Sequence, residues 1–190
     1  GEAMQNSVPK GKGGMLAVLG STVEKIEKIL KDNLKEFQVQ IANDNSEGQI
    51  VLSGKTDDLE KLISVLKKNT IKNIKLPVSA PFHSSLMNNA TKIMKGHLDK
   101  LNFKEVDCKL ISNVTAKEIL NVNDLRELLT KQIENRVRWR ESVIYMIKKD
   151  INHFIEIGPG KVLSGLVKRI NRDVKIDTIN NENDIKELKI

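Results

Sequence analysis

Between residues 15 and 78 the apolar residues change spacing from one segment to the next, and the order of those spacings leaves few folds open. MLAVLG (15–20) is a short apolar run ended by glycine, the pattern of a buried strand. STVEKIEKILKD places Val23, Ile26, Ile29 and Leu30 on one helical face, with Ser21 and Glu24 at capping-box spacing. FQVQIANDNSEGQIVLSG (37–54) reads as two strands about a polar turn. KTDDLEKLISVLKK repeats the helical spacing with Leu59, Leu62, Ile63 and Leu66, and IKNIKLPVSA alternates Ile74, Leu76 and Val78 like a half-buried strand. The order β-α-β-β-α-β is the split βαβ, ferredoxin-like arrangement. It predicts a small four-stranded subdomain over 14–79, with residues 1–13 leading into a larger domain.

From residue 80 the pattern is different. A helix over about 85–100 sets Leu86, Ala90, Ile93, Met94 and His97 on one face, and CKLISNV reads as a strand. NDLRELLTKQIEN and RWRESVIYMIKKD read as helices, the second aligning Trp139, Val143, Met146 and Ile147. HFIEIGPG is a strand into a tight turn, KVLSGLVKRIN a helix, VKIDTI a last strand, and NNENDIKELKI a polar turn with a short tail. Strands alternating with helices imply a parallel sheet, so 80–190 is expected to form the C-terminal part of an α/β domain.

Composition narrows the function. Of 190 residues 39% are hydrophobic and 30% charged, but only 3% are aromatic. The formal charge is +7. A nucleic-acid surface needs stacking platforms or a recognition motif, and the chain offers neither. An acidic protein partner or an anionic ligand accounts for the charge, as does a lysine-rich solvated surface. The single Cys108 excludes an internal disulfide; within a strand it reads as a buried structural thiol, which fits a reducing compartment. No apolar run reaches membrane-spanning length, and GEAMQNSVPKGKGG is neither a signal nor a transit peptide, so the expected location is the cytoplasm or an organelle stroma or matrix.

Chemistry-bearing residues are few. SAPFHSSLM (79–87) sets His83 between a proline-broken strand and a helix start. Either it hydrogen-bonds the helix end, or it is a general base kept neutral by the positive end of the helix. His97 lies on an apolar stripe and reads as a core histidine; His153 has no partner nearby in sequence. HExxH and HxxxH are absent, so no metal is expected. Gln132 sits at i+7 from Leu125 on the face carrying Leu128 and Leu129; it is a frayed helix end or an acceptor aimed at a site. GPGK (158–161) reads as a tight turn rather than a phosphate loop. A serine nucleophile of the G-x-S-x-G type is not in these residues.

Taken in order, MQNSVPKGKGGMLAVLG, VQIANDNSEGQIVLSG, LPVSAPFHSSLM, ISNV, LTKQIENRVRW and FIEIGPGKVLSGLVKRI resemble the malonyl-CoA:acyl carrier protein transacylases of fatty acid synthesis and the related acyltransferase domains of polyketide synthases. The resemblance implies a ferredoxin-like subdomain inserted into an α/β-hydrolase-like domain. It also implies ping-pong transfer of malonyl from coenzyme A, through an acyl-serine, to the phosphopantetheine thiol of acyl carrier protein. No tightly bound cofactor is implied. His83 matches the catalytic histidine, and Gln132 the residue whose backbone carbonyl orients it. Phe82 matches the malonyl-selective form of the motif.

Departures accompany the match. The G-Q-G-S-Q oxyanion segment and the G-H-S-x-G elbow are absent, and where the family reads R-G-x-x-M-Q the sequence starts at Gly1. The chain is therefore expected to be a C-terminal portion, inactive alone, with exposed apolar surface. The alternatives are a non-catalytic carrier-binding module or an acyltransferase of other acyl specificity. Asn135-Arg136-Val137-Arg138-Trp139 replaces N-P-V-x-W. Because acyl carrier proteins are acidic, a basic docking face is implied. Its candidates are Arg136, Arg138, Arg140 and Arg169, with Lys161, Lys168 and Arg172 sharing one helical face at i, i+7 and i+11.

Overall fold

A computed structural model describes residues 2–5, 7–9, 11–105 and 107–188. Gly1 and the last two residues of the 80–190 segment lie outside them. The chain is α/β. Its elements are α1 (Glu2–Gln5), β1 (Gly13–Leu19), α2 (Val23–Asp32), β2 (Val39–Ser46), β3 (Gln49–Lys55), α3 (Thr56–Lys68) and β4 (Lys72–Lys75). After a 3-10 turn at Ser85–Met87 follow α4 (Asn88–Leu98), α5 (Val122–Lys131), α6 (Trp139–Ile147), β5 (His153–Ile157), α7 (Val162–Ile170), β6 (Lys175–Ile179) and α8 (Glu182–Glu187).

The first four strands form one antiparallel sheet in the order β2-β3-β1-β4. Alternation sorts its side chains. Leu16, Val18, Val39, Ile41, Ile50 and Leu52 face α2 and α3 and close a core with Ile26, Leu30, Leu59, Leu62 and Leu66. The opposite face presents Met15, Ala42 and Val51, with Leu76 and Phe82 packed on them. Gly13 is bare because Pro81 lies over it: a Cβ there would stand 2.4 Å from the Pro81 ring. β2 is irregular, with register shifts between Ile41 and Asn43 and between Asp44 and Ser46.

Beyond residue 80, Met87, Ala90 and Ile133 form a third cluster with Ala3, Met4, Val8, Phe82 and Met94. A fourth, of Val143, Val167 and Val174 with Trp139, Met146, Ile147 and Phe154, joins α6 and α7 to the parallel pair β5–β6. Among the described residues no helix is long and apolar enough to cross a membrane.

Several local expectations give way. The cap of α2 is Thr22, whose hydroxyl accepts from the Lys25 N–H, not Ser21. Ile74 and Val78 are exposed, because β4 is four residues long and lies at the sheet edge. Ala90 and Met94 of the predicted stripe do face inward, but with Met87 from the preceding turn and Leu98 rather than with Leu86, Ile93 and His97, which leaves Ile93 and His97 in solvent. CKLISNV is no strand: the chain doubles back at Asn113–Ala116, so among the described residues its bridge is the isolated one of Ile111 with Glu118, and Cys108 is exposed. The tail holds a further helix, α8, capped by Asn181.

Candidate active site

The site is made from two chain reversals. In the first, Pro81–Ser84 turns tightly: the buried Ser84 hydroxyl donates to the Pro81 carbonyl at 2.7 Å. His83 takes φ +56°, the left-handed conformation, which costs a non-glycine residue on the order of 1 kcal/mol. The second reversal is the end of α5, where Gln132 is the C-cap and its carbonyl has no later helical N–H to meet.

The two meet in one hydrogen bond: His83 Nδ1 lies 2.9 Å from the Gln132 carbonyl oxygen. A carbonyl only accepts, so Nδ1 donates. The neutral ring then keeps its lone pair on Nε2, where a general base needs it. Phe82, Met4, Leu129, Ile133, His83 and Gln132 line a cleft of about 300 Å³ beside this pair. The half-exposed Leu129, read from the sequence as inward-facing, is one of its walls. Met4 belongs to the R-G-x-x-M-Q pattern already noted; nothing local in the sequence singled out Ile133.

The other candidates lie elsewhere. His97 is exposed on α4. His153 meets a partner after all, on the neighbouring strand: Nε2 is 2.7 Å from Asp177 Oδ2. Hydrogen bonding from His153 holds the Asp177 carboxyl below its ordinary value. At the GPGK turn the Glu156 carboxylate reaches across from β5 and accepts the N–H groups of Leu163 and Ser164, at 3.1 and 2.7 Å. The N-terminus of α7 is thereby filled by the chain's own carboxylate. Hydrogen bonding from Ser164, then from the neighbouring N–H groups, holds Glu156 low.

Of the cations proposed for docking, most are engaged within the chain. Arg136 pairs with Glu27 at 2.6 Å and Arg138 with Glu141, Nε to Oε1 at 2.8 Å. Arg140 pairs with the buried Asp44, which raises the guanidinium's affinity for its proton. Arg169 donates to Gln49. Lys168 donates to the Arg172 and Val174 carbonyls at 3.0 and 2.8 Å and closes the end of α7. The helix stops at Ile170, so Arg172 is not on it; Lys161 and Arg172 are exposed.

The model of the acyl transferase domain family matches residues 1–186. The malonyl CoA-acyl carrier protein transacylase of Bacillus subtilis is 43% identical over 177 residues, 92% of this chain and 56% of that protein. The crystal structure of the Clostridium perfringens protein of that name superposes with a TM-score of 0.93 at 38% identity, over 98% of this chain and 59% of that one. A malonyl-transacylase solved in complex with its type II polyketide acyl-carrier protein gives a TM-score of 0.91 at 31% identity. The chain thus spans about three fifths of the length of these relatives. With a family match across nearly its whole length and the histidine–carbonyl pair at its cleft, the chain belongs to the acyl transferase domain family.

Proposed function

We propose that this chain is the histidine-bearing portion of a malonyl-CoA:acyl carrier protein transacylase of fatty acid synthesis, and that His83 is its general base. The observation that carries the reading is the Nδ1–H to Gln132 carbonyl bond. It leaves Nε2 free to take a proton, with a backbone carbonyl where a triad would have Asp. The named relatives support the substrate pair, malonyl-CoA and acyl carrier protein.

The chemistry balances around Nε2. It takes the proton of a serine hydroxyl, which the 190 residues do not supply in a G-x-S-x-G elbow, as the oxygen bonds the malonyl carbonyl carbon. The C–S bond to coenzyme A breaks, and the imidazolium returns the proton to the leaving thiolate. The phosphopantetheine thiol then gives its proton to Nε2 and attacks the ester, and the serine leaves reprotonated. Phe82 shapes the acyl cleft. No tightly bound cofactor is needed.

The same reading takes residues 14–79, with their β2-β3-β1-β4 order, as a ferredoxin-like subdomain. Residues 1–13 and 80–190 belong to an α/β-hydrolase-like domain, β5 and β6 being two of its parallel strands. Acyl carrier protein docks on the exposed Lys161 and Arg172 rather than on the paired arginines, and the enzyme works in the cytoplasm.

The test is a fusion of the N-terminal portion of the Bacillus subtilis relative to Gly1. The folded fusion is expected to move malonyl from coenzyme A to holo-acyl carrier protein, and His83→Ala to lose at least about a thousandfold. A folded fusion without transfer, or one indifferent to His83→Ala, overturns the proposal.

A further inference from the structure

His83 and Gln132 are 49 residues apart in sequence, each on a chain reversal rather than within a regular element. Both reversals are tied to the same strand. On the His83 side, the Ser85 N–H donates to the Gln40 side-chain oxygen on β2 at 2.7 Å. On the Gln132 side, the segment leaving α5 runs along the outer edge of β2: the Val137 N–H donates to the Ala42 carbonyl at 2.7 Å, and the Asp44 N–H to the Val137 carbonyl at 2.9 Å. Gln40 and Ala42 are two residues apart, about 6.6 Å of strand.

We infer that β2 sets the spacing between His83 and the Gln132 carbonyl, and that Gln40 is a positioning residue for the base. The shared contacts of Phe82 and Ile133 bring the two reversals into one neighbourhood. Apolar contact has no direction, however, and does not aim an imidazole at a carbonyl. The directional restraints that tie the two reversals to β2 are the backbone bonds to Val137 and the Gln40–Ser85 bond; beyond β2, Asn88 Nδ2 donates to Glu134 Oε1 at 3.3 Å between the two segments. Of the bonds to β2, the Gln40–Ser85 bond is the one made by a side chain, so one substitution removes it. The link to catalysis rests on the reading of His83 as the base; the geometric claim does not.

The experiment reads the tautomer of His83 by ring ¹⁵N shifts in the 190-residue chain, with His83→Ala assigning the signal among three histidines. In the wild type the Nδ1–H form is expected to dominate. Gln40→Leu keeps the bulk but cannot accept; it should lower the Nδ1–H to Nε2–H ratio about fivefold, the worth of one net hydrogen bond. Gln40→Glu restores an acceptor and should restore the ratio. Ser85→Pro removes the donor instead. It fits because Ser85 is the first residue of the 3-10 turn and Ser84 is extended (φ −137°, ψ 165°), as a residue before proline must be. It should match Gln40→Leu, and the double variant should be no worse than either.

An unchanged ratio in Gln40→Leu or in Ser85→Pro overturns the inference, as does failure of Gln40→Glu to restore it. In the fusion described above, Gln40→Leu should lower kcat about tenfold with KM for malonyl-CoA unchanged. A tautomer that responds while His83→Ala keeps full rate sinks the catalytic reading and leaves the spacing role standing. A His83-dependent rate with an unresponsive tautomer does the reverse.

Discussion

Arg140 forks both oxygens of Asp44: its Nε lies 3.0 Å from Oδ1 and from Oδ2, and a terminal nitrogen 2.9 Å from Oδ2. The carboxylate is 1% exposed and the guanidinium 30%, so the pair is half in protein and half at its surface. It bolts α6 to the irregular end of β2, next to the Val137 bridge.

Removing the cation alone strands a buried charge. Arg140→Met is expected to destabilise the chain by about 3 kcal/mol, the lower end of the usual cost because Arg140 is partly exposed. Adding Asp44→Asn should recover part of that loss. Urea unfolding of the two single variants and the double measures it, and additive losses would contradict the pairing.

At Gln132 the useful group is the carbonyl, which every residue type has. Gln132→Ala is therefore expected to leave transfer by the fusion within about twofold of the wild type, as for a substitution that touches no buried partner. Steady-state kinetics decides it; a hundredfold loss would assign the work to the side chain.

Gly13 and Pro81 leave no room for a methyl group. Gly13→Ala is expected to cost about 1–3 kcal/mol of overpacking and to displace the turn that carries His83. A lower melting temperature together with a changed His83 ring signal checks both parts; normal stability would mean that Pro81 moves freely.

Glu156 links stability to pH. Its folded pKa lies below the ordinary 4.5, so the carboxylate's contribution is complete above that value and is lost as pH falls through the lower folded value. At pH 7 Glu156→Ala is expected to cost about 1 kcal/mol, as losing a helix cap does. As pH falls below 4.5 and through the lower folded value, the wild type and the variant should approach each other, which thermal melts across the acid range and up to pH 7 will test.

Carrier docking is expected to weaken with salt, since exposed charges are screened over about 10 Å at 0.1 M. Lys161→Glu and Arg172→Glu should each raise Kd for acyl carrier protein in the fusion. Lys168 is a poor probe because its ammonium holds the end of α7. Affinity flat with salt and unchanged in both variants would move the docking face elsewhere.

The βαββαβ half was readable because each of its elements announces its own period, and its partners lie within some 65 residues. Thus Leu59, Leu62 and Leu66 were found as a buried stripe without knowing what they cover. The 108–114 stretch has the alternation of a strand, but a strand is made by its neighbour, and the chain folds Glu118 back against Ile111 instead. Arg140 looked like a surface cation because nothing near it in sequence marks Asp44, 96 residues earlier, as its partner. Local sequence singled out His83 and Gln132 separately, and the family resemblance joined them as a pair; the 2.9 Å contact between them comes from the fold. Gln40 carried no signal: on an alternating strand it is one more outward polar residue, and its place beside Ser85 comes from topology alone.

β4 ends the four-stranded sheet at a margin where, among the described residues, no further strand is paired. A bare margin is a template for a second copy to add on, and Ile74, half exposed, would favour such growth. Two things work against it. The strand is four residues long, and it begins and ends with lysine, Lys72 and Lys75, so a copy arriving in the same register brings like charges face to face. Lys75 is paired with Glu60 on α3, which offsets its charge and leaves Lys72 the stronger repelling group. Lysines at both ends of a four-residue edge strand are the kind of device that disfavours edge-to-edge pairing of copies.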